Sequence, residues 1–224
     1  MNPEAQLYIA SAAFLLTHFV SSTPLRPALV KAIGEKAYLG AYVVVSFATI
    51  GWMAWAYGKA PAEPQWPGLR LLPALLMPVS FVLIACGVLS KNPTAVGAAG
   101  LLKSAEPARG IIRITRHPVM WGLMLWSGAH LLARGELHAT VFFGTFLVLA
   151  ALGALLIDAR KRKTLGEDWQ RFERSTSYFP FLAIVQDRNR LDASEIGWRN
   201  PLIGLALYAV VFLAHAWLFG ARPY

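Results

Sequence analysis

Four of the five histidines fall inside or at the edge of long stretches without any charged residue. An ionisable side chain at that depth is costly and marks a functional position by default. His18, His117, His130 and His215 are placed this way, and His138 opens another such stretch beside a short loop, the position of a helix-to-helix hydrogen bonder or interface residue. With each stretch's midpoint set at a bilayer centre and a rise of ~1.5 Å per residue, His130 and His215 both lie about 7 Å toward one surface. On the same scale His18 lies about 5 Å toward the other surface and His117 about 12 Å. Two facing imidazoles in a helix bundle are a standard way to hold haem iron. His130 with His215 is the depth-matched pair; His130 with His18 leaves roughly 12 Å of depth for helix tilt to close.

A second group of reactive residues is Gly110-Ile-Ile-Arg-Ile-Thr-Arg-His-Pro118. Pro118 suits the first turn of a helix and forces His117 out of helical geometry. Arg113, Arg116 and His117 then surround a helix N-terminus, where free N–H groups and the dipole favour an anion such as a carboxylate or phosphate. The single cysteine, Cys86, excludes internal disulfides and cysteine-based zinc sites, and its place in an apolar stretch makes it a small packing residue.

Membrane helices must position these residues. The chain is 56% hydrophobic and 15% charged, against roughly 25% charged in a soluble domain. Residues 5–25, 37–58, 71–90, 117–133, 139–157 and 200–221 contain no Lys, Arg, Asp or Glu. Each is close to the ~17–25 residues that cross a ~30 Å hydrocarbon core. The expected fold is therefore all-α: one transmembrane domain over residues 1–224, a polytopic bundle of about six spans. The first span is read as retained, because Met1 to Glu4 lack the basic region of a signal peptide.

Of the 21 basic residues, three, five and nine fall in the loops after the first, third and fifth stretches, and only Lys59, Arg70, Arg134 and Arg222 on the other side. The positive-inside rule then puts those three loops in the cytoplasm and both termini in the periplasm of a bacterial inner membrane. The formal charge of +9 reflects this topology and contact with anionic lipid; no basic cluster interleaved with aromatics points to nucleic acid. Residues 158–174, with Leu165, Trp169 and Phe172 at helical spacing, predict a helix on the cytoplasmic surface with its aromatics in the interface. Pro180 is expected to end it, and Asp192 or Ser194 to cap the approach to the last span.

Three ordered blocks resemble the NnrU family. They are Thr17-His18-Phe-Val-Ser-Ser-Thr-Pro-Leu-Arg26 running on to Ile33-Gly-Glu-Lys-Ala-Tyr38; Arg113-Ile-Thr-Arg-His-Pro118 with Trp126-Ser-Gly-Ala-His130; and Leu165-Gly-Glu-Asp-Trp169 with Thr176-Ser177 and Phe179-Pro-Phe181. The resemblance implies association with nitrite and nitric oxide reduction in denitrification, with respiratory nitrogen-oxide reductases as partners. It also implies kinship with 15-cis-zeta-carotene isomerases that hold haem b by histidines. Carried over, the isomerase ligands are His18 and His130, His215 matches a further family histidine, and iron enters only through haem. Ser127 stands where the isomerases carry a cysteine. The Arg-His-Pro and Leu-Gly-Glu-Asp-Trp blocks also resemble membrane methyltransferases that use S-adenosylmethionine. An enzyme on a lipid-soluble substrate and a cofactor-free accessory protein for reductase maturation are the alternative expectations.

Overall fold

The computed structural model describes residues 2–23, 25–95 and 97–223. Among these residues all regular structure is helical apart from one isolated bridge between Pro64 and Glu136. The helices are α1 (Pro3–Val20), α2 (Leu25–Ile33), α3 (Glu35–Tyr57), α4 (Leu72–Leu89), α5 (Ile111–Ile114), α6 (Pro118–Arg134), α7 (Leu137–Ser175), α8 (Leu182–Val185), α9 (Ala193–Ile196) and α10 (Arg199–Phe219).

The six charge-free stretches become α1, α3, α4, α6, the first part of α7, and α10. Four of these, α3, α4, α7 and α10, are long and apolar enough to cross a membrane. A fifth qualifies if α1 and α2, bent by 75°, are one span. α6, at 17 residues, sits at the lower edge of what a bilayer needs and packs against both α4 and α7. The faces of α3, α4 and α10 that meet no other helix are apolar, with Phe47, Leu75, Leu213 and Trp217 among the most exposed side chains. In water this would be an aggregation surface; in a bilayer it is the solvated face.

Local chemistry sets the ends. The Asn2 side chain accepts the Glu4 N–H at 3.1 Å and caps α1. α1 stops at Val20, short of the expected residue 25, because the Ser21 and Thr23 hydroxyls donate back to the carbonyls of His18 and Val20. α6 opens on Pro118 and ends at Gly135, which takes φ 68° and lies so close to Trp66 that an added Cβ would sit 2.3 Å from its carbonyl oxygen.

Packing divides the bundle in two. α1 lies on α3, while α4 lies on α6 and α10, and α7 contacts both α1 and α6. The α4–α6 approach is close because Gly122 has no side chain: Ser80 donates its hydroxyl to the Gly122 carbonyl at 2.7 Å, where a Cβ would stand 2.8 Å from Ser80 O. Gly204 brings α10 equally near to α4 at Phe81 and Val82.

α7 runs on past the apolar stretch and is broken at Gly166, whose φ of 53° and ψ of −127° suit glycine alone. The expected helix over residues 158–174 is present and ends at Ser175, ahead of Pro180. Its aromatics face another way than expected. Trp169 and Phe172 are fully buried against Leu83, Cys86, Leu102, Ala108, Ile111 and Ile112, so they meet protein and not the bilayer interface. The turn at Gly166 folds the last part of α7 beneath the ends of α4 and α5, which supply the apolar surface. Asp192 caps α9 by accepting the N–H groups of Ser194 and Glu195.

Candidate functional site

One end of the bundle gathers the loops around residues 90–118 and 158–199 and most of the charge. There Gly110, at φ 59°, starts the single turn of α5 and aims Arg113 at α9. Arg113 donates to Glu195 through Nε at 2.7 Å and NH2 at 3.0 Å, and through NH1 to Asn189 at 2.6 Å. Glu195 also accepts the Gly110 N–H at 2.8 Å. Hydrogen bonding from Arg113 holds the Glu195 carboxyl down at about 2, and the same contact raises Arg113.

Arg116 and His117 turn instead toward α7. Arg116 Nε donates to Asp158 at 2.8 Å, and His117 Nε2 meets the other Asp158 oxygen at 2.7 Å. A carboxylate there can only accept, so the His117 proton belongs on Nε2. Thr115 takes the His117 N–H on its hydroxyl and donates to Tyr178 O at 2.7 Å. All four side chains are buried. The three expected anion binders thus share one end but split into two assemblies, and the anions they hold are the chain's own carboxylates, Glu195 and Asp158. A buried cation needs such a partner. Sequence reading placed the cations without their acids, because Asp158 and Glu195 lie tens of residues further along.

Each intramembrane histidine has Nδ1 on a backbone carbonyl, one turn back for His18 and His130 and beyond the end of α10 for His215. His18 Nδ1 meets Phe14 O at 2.7 Å, His130 Nδ1 meets Trp126 O at 2.8 Å, and His215 Nδ1 meets Ala221 O at 2.7 Å. A carbonyl can only accept, so Nδ1 carries the proton and Nε2 keeps its lone pair, the state of a metal-ligating imidazole.

Their placement separates the pairs. α1 and α7 run parallel, with Leu7 beside Val141, Phe14 on Phe146 and Ser21 near Arg160, and α6 runs antiparallel to α7. Phe14, Phe146 and Trp126 form one ring ladder with centroids 5.3 and 5.2 Å apart. His18 lies one turn beyond Phe14 toward the charged end, and His130 one turn beyond Trp126 toward the opposite end. The three rings lie along the interval, and the axial offset is about 12 Å at the helical rise. His130 and His215 lie at the same end, where α4 begins, on two helices that both pack against α4. Trp126 and Phe143 pack on His130 at 5.6 and 5.1 Å. His138 stacks on Tyr57 at 4.7 Å, and its buried Nδ1 has no hydrogen-bond partner among the described residues. Ser127 is buried and donates to Leu123 O.

An all-helical bundle with several helices long and apolar enough to cross a bilayer is the build of a polytopic membrane protein. This chain belongs to the NnrU family, whose model, described as "NnrU protein", matches residues 6–223. It is similar to 15-cis-zeta-carotene isomerase, chloroplastic, of Arabidopsis thaliana, with 36% identity over 115 residues, 50% of this chain and 31% of the relative. The Zea mays protein of the same name is 32% identical over 109 residues, 47% of this chain and 30% of the relative. The matched region thus spans about a third of the length of these relatives. No solved structure matches significantly.

Proposed function

We propose that this chain binds haem b between His130 and His215 and acts as an isomerase on a polyene held in the bilayer. The observation that carries the haem assignment is the pair of imidazoles at one end of the bundle, each with Nδ1 committed to a carbonyl and Nε2 available. Similarity to proteins named as carotene isomerases supplies the substrate class. Bound there, haem would supply a redox-active iron whose properties the two imidazoles set. Trp126 and Phe143 hold the His130 ring and keep water from it. The apolar outer faces of the helices let a lipid-soluble substrate approach from the side. The basic loops put the charged end in the cytoplasm of a bacterial inner membrane and both termini in the periplasm.

The test is co-expression in a host that accumulates zeta-carotene, with isomers separated by chromatography. A shift toward the isomerised product that disappears in His130→Ala supports the proposal. Haem binding without any change in isomer profile would turn the reading to the family's association with nitrite and nitric oxide reduction, where the same haem would serve a respiratory reductase.

A further inference from the structure

The cations predicted to bind an anion are already paired, yet another cation near His18 is not. Arg160, on α7, is partly buried and makes one hydrogen bond among the described residues, from NH1 to Ser21 O at 3.1 Å. No described carboxylate lies within ion-pairing distance of it. Its electrostatic neighbours are Arg26, of like charge, and the phenols of Tyr38 and Tyr42. Arg26 stands over the Tyr38 ring at 5.5 Å and is bound at 2.6 Å to Glu35, an exposed carboxylate. The Tyr38 hydroxyl is a separate anomaly. Tyr38 is 6% exposed, and its buried oxygen has no hydrogen-bond partner among the described residues. A buried donor left unmade is costly, and Arg160 has no carboxylate partner, while the one on Arg26 is exposed. Tyr42, stacked beside Tyr38, reaches the His18 ring at 5.5 Å, so the cluster lies against the end of α1.

We propose that Arg160, Arg26 and Tyr38 form a binding site for an anionic oxygen acid, a carboxylate or phosphate, at the junction of α1, α3 and α7. Arg160 supplies the unpaired charge and Tyr38 the hydroxyl donor. The source that fits this place is the phosphate of an anionic lipid headgroup, because Arg160 lies 17 residues along α7 from Phe143, which packs on His130, and a haem between His130 and His215 would sit at the other end of the bundle.

Native mass spectrometry of the full chain in detergent tests it, with two probes: phosphatidylglycerol and phosphatidylcholine. Loss of a charge-assisted hydrogen bond weakens an anion roughly tenfold or more. Retention of phosphatidylglycerol falling by that factor in Arg160→Gln, and by less in Tyr38→Phe, with phosphatidylcholine unchanged, identifies the site. Wild type, Arg160→Gln and Tyr38→Phe holding phosphatidylglycerol equally overturns the proposal.

Discussion

Asp158 is the acid on which the charged end depends. It accepts from Arg116 and His117 together, with all three side chains withdrawn from solvent. Asp158→Asn keeps the shape and removes the charge, leaving the buried Arg116 guanidinium with only Glu173 at 3.5 Å, at a cost of up to about 3–5 kcal/mol. A thermal-unfolding midpoint well below wild type in the same detergent is the expected outcome; an unchanged midpoint would show that the pair contributes nothing. Glu195 gives a pH dependence. Its carboxyl is held at about 2 against an ordinary 4.5, so its contribution to stability is complete above pH 4.5 and is lost as pH falls toward 2. Glu195→Gln should flatten the stability profile over that window, read by thermal unfolding at stepped pH. The basic halves of both assemblies were legible, because Arg-His-Pro ahead of a helix is a local pattern. Their acids were not: Asp158 is 41 residues from His117 and Glu195 is 82 from Arg113, separations that carry no periodic signal.

At the level of elements, Gly166 decides where the last part of α7 goes. Its φ of 53° with ψ of −127° excludes a Cβ on backbone grounds, although the space beside it is open. Gly166→Ala should therefore cost about 1–3 kcal/mol from the backbone alone. It should also move Trp169 out of its pocket, seen as faster quenching of tryptophan fluorescence; unchanged quenching would mean that the turn survives. Gly122 answers for the α4–α6 contact. Gly122→Leu should separate these helices and break the Ser80 bond, lowering the unfolding midpoint more than Gly153→Leu, a helical position on α7 with open space. The helices were legible from the charge-free stretches, since a bilayer demands such runs. The facing of Trp169 and Phe172 was not, because lipid and protein interior are both apolar and an amphipathic pattern names neither. Likewise, Ser21 and Thr23, which end α1 five residues early, bond to the nearby backbone, a preference that hydropathy does not register.

On the scale of the whole molecule, α7 links one half built on α1 and α3 to another built on α4, α6 and α10. Composition reveals the membrane class but not this partition, which depends on glycines at two crossings. The histidine depths estimated from sequence agree with the arrangement: His130 and His215 at one end, His18 displaced toward the other. The rings of Phe14, Phe146 and Trp126 run from His18 to His130, the pair that the family resemblance implies. The proposed topology can be checked by replacing Cys86, the only cysteine, and labelling single cysteines at positions 3 and 187 in intact cells. An impermeant reagent should reach position 3 and not position 187. The central claim is the assignment of His130 and His215 as haem ligands. Its most direct test is the reduced-minus-oxidised optical spectrum of the detergent-purified protein, with pyridine haemochrome quantitation, for wild type and for His18→Ala, His130→Ala and His215→Ala. The account predicts a b-type signal near one haem per chain, lost or shifted in the His130 and His215 variants and kept in the His18 variant. A signal that survives in the His130 variant, or is lost in the His18 variant and unchanged in the His215 variant, would contradict it.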